Sequence, residues 1–363
     1  MIIKRDLLAQ IEPYLSTKQA IVITGMRRVG KTTLLRNIFD TISSNNKLFL
    51  DLENILNQKI FEETDYEAIK STWESQGIDF KQRVFLFLDE IQFIKNVPSI
   101  VKYFIDHYQV KFFLTGSASF YLKNVFSESL SGRKFIFELY PFSFDEFLTL
   151  KNESMGVPRA ASGVSQAIYL KLDRLYTEYM EFGGFPDVIL AAAKEEKKRI
   201  LEDIISSYIH LEVMRLSDFR KIHVIRDLIL LLAERVGQKL EIQKLGVVLG
   251  ISRETVMNYL AFLEGTYAIS LVKPFSRSLD VEIRKTPKIY FCDSGLANHL
   301  GRITQGSLFE QNIFQNIRHQ GEINYYQKKT GSEIDFILSK KTAYECAKTS
   351  WRRRAGKSSL TKG

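Results

Sequence analysis

The stretch from residue 20 to residue 39 constrains the fold more than any other part of the chain. An apolar segment, AIVIT, runs directly into GMRRVGKTT, and a helical segment, LLRNIF, follows. The spacing G-x-x-x-x-G-K-[ST] between a strand and a helix is typical of a loop that binds nucleotide phosphates. Its two glycines permit a tight loop whose backbone N–H groups converge on phosphate oxygens.

This loop predicts a site for ATP with magnesium. Lys31 is expected to reach the β- and γ-phosphates, and the Thr32 hydroxyl is expected to ligate Mg²⁺. The two consecutive arginines are unusual in such a loop. They can contact phosphate, contact acidic groups of a neighbouring subunit, or simply be solvated. The predicted ATP-binding residues are Gly25, Met26, Arg27, Arg28, Val29, Gly30, Lys31, Thr32 and Thr33.

The first 150 residues alternate short apolar runs with helical stretches. The apolar runs lie at residues 20–25, 47–53, 83–90, 110–117 and 134–142. Continuous apolar strands separated by helices are typical of a parallel sheet covered on both faces. The sequence therefore predicts an α/β fold, with a parallel-sheet P-loop NTPase domain at the N-terminus.

Polar residues end two of these runs, where the ligand edge of a parallel sheet is expected. Asp89 is predicted to hold magnesium, and Glu90 to deprotonate the attacking water, unless the pair only caps a strand. Ser117 can hold that water or sense the γ-phosphate, or it can belong to a plain turn. Arg133 follows a glycine and is either a surface charge or an arginine finger in an oligomer.

The second half of the chain contains a helix–turn–helix candidate at residues 240–264, followed by a ribbon at 268–290. Ser252 is a suitable N-cap for the second helix. This motif either binds duplex DNA or serves as an ATPase lid or protein-docking surface. The DNA-contact candidates are Arg253 and Asn258 on the helix, and Lys273, Arg277, Arg284 and Lys288 on the ribbon.

The charge of the chain does not by itself indicate nucleic-acid binding. The net charge is +9, but the residues from Ser339 onward include eight Lys or Arg and one acidic residue, which leaves about +2 for the rest. A basic tail favours a solvated terminus over a nucleic-acid footprint. The two cysteines lack zinc-type spacing, and no apolar run of 18 residues occurs. We expect a cytoplasmic protein without a membrane span or signal peptide.

The motifs GMRRVGKTT, FLDEIQ, LTGSAS, LSGRKFIFELYPFSFDEF, GGFPDVIL, KIYFCDSGLA and GSEIDFIL together resemble a large prokaryotic family of AAA-type ATPases. The resemblance covers about residues 1–345. It implies an AAA-type module, a winged helix-turn-helix and a restriction-endonuclease-like segment. In that segment the nuclease candidates are Glu310, Asp335 and Glu345, but the lysine after Glu345 lies one position late. We therefore expect a vestigial, truncated nuclease fold.

The expected domains are an ATPase domain at 1–150, a helical and winged-helix domain at 168–300, and the endonuclease-like segment with its basic tail at 301–363. The expected function is magnesium-dependent ATP hydrolysis that switches the C-terminal modules. Two alternatives stay open: an ATP-controlled DNA-binding regulator with slow turnover, and an ATPase-coupled nuclease. Duplex DNA and a partner protein are the candidate partners, and oligomerisation is left open.

Overall fold

The computed structural model describes residues 5–117, 130–153, 165–213, 222–276, 286–327 and 333–346. These residues form two compact units. Unit 1 contains the described residues of 5–140, 206–213 and 261–268, and unit 2 contains the described remainder. Two short segments from the later part of the chain thus belong to unit 1, whereas the sequence suggested consecutive domains.

Unit 1 is built around a five-stranded parallel sheet with the strand order β2-β3-β4-β1-β5. This confirms the predicted α/β fold and its parallel sheet. The apolar runs form the strands because their side chains are covered on both faces: every residue of β1 and β4 is buried. The strands are β1 (Ala20–Thr24), β2 (Lys47–Asp51), β3 (Val84–Asp89), β4 (Val110–Gly116) and β5 (Lys134–Glu138).

Helices cover this sheet and complete its core. In the described residues they are α1 (Asp6–Ile11), α2 (Lys31–Thr41), α3 (Ile55–Ile60), α4 (Tyr66–Ser75) and α5 (Val97–His107), with a π-helical turn at Ile209–Val213. The apolar face of α5 buries Ile100, Val101 and Phe104 completely. Phe104 contacts Trp73 of α4 with their ring centroids 4.8 Å apart, so α4 and α5 pack through an aromatic cluster.

Lys111 is a buried lysine at the edge of the sheet opposite the expected ligand edge. Its side chain is 1% exposed, and its ammonium donates to the carbonyl oxygens of Tyr14 (2.8 Å) and Gln19 and to the Thr17 hydroxyl (3.2 Å). Burial, with a smaller contribution from the positive charge of Arg83, lowers the pKa of Lys111 to about 7. The folded protein therefore loses this proton at a pH where the unfolded chain keeps it.

This buried lysine predicts a pH dependence of stability. Above pH 7 the folded state has released the proton, while the unfolded state holds it until about pH 10. The free energy of unfolding should therefore rise with pH in this window, by up to about 1.4 kcal/mol per pH unit relative to Lys111→Met. Urea unfolding of both proteins at pH 7 and pH 9 measures it. A constant difference between the two proteins would mean that the three oxygen acceptors keep the ammonium charged.

Unit 2 combines helices with two small antiparallel sheets. The strand pair β6 (Ile269–Val272) and β7 (Lys288–Phe291) is separate from a three-stranded sheet of order β10-β9-β8, formed by β8 (Ile323–Gln327), β9 (Glu333–Leu338) and β10 (Thr342–Tyr344). The remaining described helices are α6 (Phe144–Leu150), α7 (Gln166–Phe182), α8 (Pro186–Leu190), α9 (Lys194–Tyr208), α10 (Ile222–Ala233), α11 (Ile242–Leu249), α12 (Arg253–Gly265), α13 (Ser294–Leu300) and α14 (Gln305–Ile317). The last few residues of α9 and α12 belong to unit 1. None of the helices in the described part of the chain combines the length and the apolarity needed to cross a bilayer.

The end of α7 shows why two glycines follow it. Asp293 is completely buried, caps α13 through the Leu296 N–H (3.1 Å) and also accepts the Gly184 N–H at 2.7 Å. A Cβ atom on Gly183 would lie 1.9 Å from an Asp293 carboxylate oxygen. Gly183 therefore ends the helix and also makes room for a buried carboxylate.

Candidate nucleotide-binding site

The candidate phosphate loop connects β1 to α2. It packs closely against the chain after β5, and the Arg5 side chain hydrogen-bonds to its backbone. A Cβ atom on Gly25 would lie 2.1 Å from the carbonyl oxygen of Leu139, so only glycine allows this approach of the loop to the chain after β5. Arg5 donates to the carbonyl oxygens of Val29 (2.9 Å) and Tyr140 (2.7 Å). These contacts fix the loop where a strand end meets a helix start, which is the placement that the sequence predicted.

Lys31 is the buried cation of this loop. It is 4% exposed, and its ammonium donates to the carbonyl oxygens of Gly25 and Met26, both at 3.1 Å. Burial lowers the pKa of Lys31, and the carboxylates of Glu90 and Glu212 oppose that shift. The following residues change from partly buried at Thr32 to exposed at Thr33. Lys31 thus lies in a pocket of oxygen atoms and acidic groups at the start of α2.

Asp89 stands at the carboxyl end of β3, beside the loop. It is 3% exposed and accepts a short hydrogen bond from the Thr115 hydroxyl of β4. Burial raises the pKa of Asp89, while hydrogen bonds from the Thr115 and Thr32 side chains oppose that shift. The structure therefore places Thr32 and Asp89, the two predicted metal ligands, close to each other.

Glu90 adopts a left-handed backbone conformation with φ of 56°, and this turns the chain away from the end of β3. Its N–H donates to the Thr115 hydroxyl at 3.1 Å. The side-chain amide of Gln92 donates to the Glu90 carboxylate and to the Ser117 hydroxyl, the latter at 3.1 Å. The amide nitrogen of Gln92 faces Glu90, because the side-chain carbonyl oxygen of Gln92 would be repelled by the Glu90 carboxylate. Gln92 thus links Glu90 to Ser117, a contact that the sequence analysis missed although the motif FLDEIQ contains the residue.

The two arginines of the loop differ in their surroundings. Arg28 is exposed, whereas the Arg27 guanidinium is 16% exposed and donates from Nε to the buried Glu212 at 2.9 Å. A second carboxylate, that of Glu53, lies 3.8 Å from Arg27 Nη1. No sequence motif marked Glu212, since it follows the loop by about 180 residues and lies in an ordinary-looking helical segment.

Arg133 does not reach the nucleotide site of its own chain. It precedes β5 at the amino edge of the sheet and forms a two-point ion pair with Asp106, at 2.7 and 3.1 Å. The length of β5 puts this edge about 16 Å from the carboxyl edge, at roughly 3.3 Å per residue. Its predicted catalytic role therefore needs a second copy of the chain, and it stays a prediction.

The helix–turn–helix candidate has the element order that the sequence predicted. The Ser252 hydroxyl accepts the Thr255 N–H at 3.1 Å and so caps α12, while Arg253, Asn258 and the ribbon residue Lys273 are exposed. Arg277 and Arg284 lie outside the described residues. The exposure of these side chains is compatible with DNA contact, which stays a prediction.

Lys288 was expected to face phosphates, but the structure buries it among carboxylates. It is 3% exposed, and its ammonium pairs with Glu310 (3.1 Å), Glu333 and Asp335 (3.6 Å). Burial lowers the pKa of Lys288, but the Glu310 and Glu333 carboxylates outweigh it and raise the pKa overall. Glu345 is exposed instead, although its neighbour Cys346 donates its N–H to Asp335 at 2.7 Å.

The nuclease candidates are thus only partly assembled. Glu310 and Asp335 meet around Lys288, and Glu345 does not join them. Among the described residues there is no group of three or more His, Cys, Asp or Glu side chains arranged to hold a metal ion. A cation already occupies the centre of the carboxylates, so the cluster has the chemistry of a buried ion-pair network. Nuclease activity stays a prediction.

Removing this cation should destabilise the protein strongly. Lys288→Met leaves the carboxylates buried without a counter-charge, so we expect a loss of about 3–5 kcal/mol in the free energy of unfolding. Lys239→Met is the matched control: Lys239 is a third exposed and lies 4.0 Å from Glu333, so its loss should cost less than about 1 kcal/mol. Urea unfolding monitored by circular dichroism measures both. Equal losses for the two variants would show that the buried network contributes no special stability.

Two family models match separate parts of the chain. Residues 17–148 match an AAA domain, and residues 173–307 match a domain of unknown function, DUF8612. The first match covers the loop, Asp89 and Glu90. The second covers the helix–turn–helix candidate and gives no activity for it.

Similar proteins extend over nearly the whole chain. An uncharacterized protein of Haemophilus influenzae is 28% identical over 94% of this chain and 84% of its own length, and one of Methanocaldococcus jannaschii is 29% identical over 93% and 75%. A Walker-type ATPase of Pyrococcus abyssi has a similar fold, with a TM-score of 0.52 at 15% identity, over 82% of this chain and 96% of that one. Together with the parallel sheet and its phosphate loop, these matches show that residues 17–148 form an AAA-type P-loop domain, and that nearly the whole chain is similar to uncharacterized prokaryotic proteins.

Proposed function

We propose that this protein binds ATP with Mg²⁺ at the loop between β1 and α2 and hydrolyses it to ADP and phosphate. The observation that carries the proposal is the convergence of Lys31, Asp89 and Glu90 at one edge of the sheet, where the two carboxylates lie within electrostatic reach of the buried ammonium. Parallel α/β sheets bind ligands at this edge. The loop N–H groups and Lys31 then neutralise the phosphate oxygens.

The donors present fit a magnesium ion. The Thr32 hydroxyl and the Asp89 carboxylate lie close to each other, and both are the hard oxygen ligands that Mg²⁺ takes together with substrate phosphates. Thr115 holds Asp89 in place from the neighbouring strand. When bound, the ion would draw electron density from the β- and γ-phosphate oxygens. The protein supplies the fixed positions of Thr32 and Asp89.

Glu90 is suited to be the general base. Its carboxylate lies at the end of β3, beside the predicted metal ligand Asp89, and Gln92 fixes its orientation. In hydrolysis a water oxygen attacks the γ-phosphorus, the bond to the β-γ bridging oxygen breaks, and Glu90 takes the proton of the water. Ser117, held by the same Gln92 amide, can hydrogen-bond the water or a γ-phosphate oxygen.

The biological use of hydrolysis is a finer part of the proposal. We propose that the ATP cycle changes the conformation of the C-terminal modules. We further propose that the exposed face of α12 is the surface that these modules present to duplex DNA. The support is the exposed Arg253 at the start of α12, which lies next to the exposed Glu254. A protein-docking surface is the alternative, since Val247 of α11 and Met257 of α12 are exposed apolar side chains (83% and 44% exposed).

Phosphate release at saturating ATP and Mg²⁺, measured with and without duplex DNA, separates these two uses. Stimulation that weakens with salt and with Arg253→Ala would support DNA as the partner. If the turnover rate is the same with and without DNA, and no salt-dependent duplex binding is found, DNA is excluded as the partner and a protein partner is favoured. Lys59→Ala, an exposed charge change in unit 1, is the control for nonspecific electrostatic effects.

A further inference from the structure

Arg27 belongs to the candidate phosphate loop, yet its present partners are carboxylates. It lies between Gly25 and Gly30 in the phosphate loop. Its guanidinium is mostly buried and donates to Glu212 at 2.9 Å, with Glu53 at 3.8 Å. An arginine guanidinium can bind a phosphate group through two N–H groups at once. A terminal phosphate and Glu212 are therefore alternative partners for the same cation.

Glu212 is an unusual carboxylate. It is 2% exposed and lies in the π-helical turn Ile209–Val213, a type of turn that is frequent at functional sites. One of its oxygens accepts from Arg27, and the other, Oε2, is buried without a hydrogen-bond partner among the described residues. Such a charge is costly to keep buried, and Arg27 is the cation that hydrogen-bonds to it.

The negative charges around the loop affect how Arg27 divides between Glu212 and a terminal phosphate. Glu212, Glu90 and Asp89 all act electrostatically on the buried Lys31. A γ-phosphate adds further negative charge in the same region, and this charge attracts the Arg27 guanidinium. A nucleoside diphosphate lacks that group, so it leaves the contact between Arg27 and Glu212 intact.

We propose that Glu212 sets the discrimination between ATP and ADP, because it competes with the γ-phosphate for the Arg27 guanidinium. The inference rests on the proposed function, since it assumes that ATP binds at this loop. When Arg27 turns to the γ-phosphate, Glu212 loses its hydrogen-bonded counter-charge, and the turn Ile209–Val213 becomes less stable. By linkage, the nucleotide state and the order of this turn bias each other.

The test compares the affinities for ADP and for the slowly hydrolysed analogue AMP-PNP, both with Mg²⁺, by isothermal titration calorimetry. Glu212→Gln removes the competing charge at nearly constant shape. We expect the ratio of the ADP dissociation constant to the AMP-PNP dissociation constant to rise roughly tenfold. Arg27→Ala should lower the ratio. In the double variant Arg27→Ala/Glu212→Gln, the second substitution should add no further change, because the contested cation is gone.

Glu202→Gln is the matched control. It removes an exposed carboxylate from the helix that precedes the π-helical turn, and the ratio should stay that of the unaltered protein. Hydrogen exchange gives a second readout: amides of 209–213 should exchange faster with AMP-PNP than with ADP. It is measured on the unaltered protein, so it also decides the matter if Glu212→Gln fails to fold.

Several outcomes would overturn the inference. An unchanged ratio in Glu212→Gln would do so, as would an equal rise in the variants with and without Arg27, or identical exchange of 209–213 with both nucleotides. If the unaltered protein binds neither nucleotide, the proposed function itself fails. Binding of both nucleotides with an unchanged ratio instead contradicts the role of Glu212 alone.

Discussion

Replacing Glu90 by glutamine is expected to lower ATP turnover by about 10²–10⁴-fold, the usual contribution of a positioned general base. The amide keeps the shape of the side chain but does not take a proton from the attacking water. Binding should survive, because the loop and Lys31 hold the phosphates independently of Glu90. Phosphate release in single-turnover conditions measures the chemical step, and calorimetric titration with AMP-PNP measures the binding.

Glu63→Gln is a suitable control for this variant, because it removes an exposed carboxylate of unit 1 that is not part of the predicted site. Its turnover should equal that of the unaltered protein. Normal turnover in Glu90→Gln would show that another group accepts the proton. Loss of AMP-PNP binding in Glu90→Gln would show instead that the side chain contributes to nucleotide binding.

Replacing Lys31 by alanine is expected to weaken ATP binding by about 10²-fold or more, since charge-assisted hydrogen bonds to phosphate contribute roughly 1.5–3 kcal/mol each and Lys31 is placed to make more than one. The substitution also leaves the carbonyl oxygens of Gly25 and Met26 without their present donor. Circular dichroism should therefore accompany the calorimetric titration. Lys59→Ala, an exposed lysine of α3, should keep the affinity. Unchanged affinity in a folded Lys31→Ala protein would place the phosphates elsewhere.

The strands and the phosphate loop could be predicted because their signals are local. A buried parallel strand is a continuous apolar run, and the loop motif specifies its own turn and helix start. Asp89 and Glu90 followed from the same logic, since a carboxylate after a buried strand falls at the ligand edge. The structure brings Lys31, Thr32, Asp89 and Glu90 together as this reasoning required.

The contacts that were missed depend on long-range folding. Glu212 meets Arg27 only because residues 206–213 belong to unit 1, and no periodicity in the sequence carries that information. Lys288 was assigned to the solvent face of a ribbon, but charge alone does not tell which face of a two-stranded sheet is covered. The structure covers it with Glu310 from α14 and with Glu333 and Asp335 from β9.

ATP turnover by the purified chain with Mg²⁺, and again with EDTA in excess, tests the central proposal most directly. Our account predicts phosphate release that requires Mg²⁺ and stops with EDTA, because Thr32 and Asp89 are placed to hold the ion beside the β- and γ-phosphates. No phosphate release in Mg²⁺, or release that continues unchanged in EDTA, would contradict it.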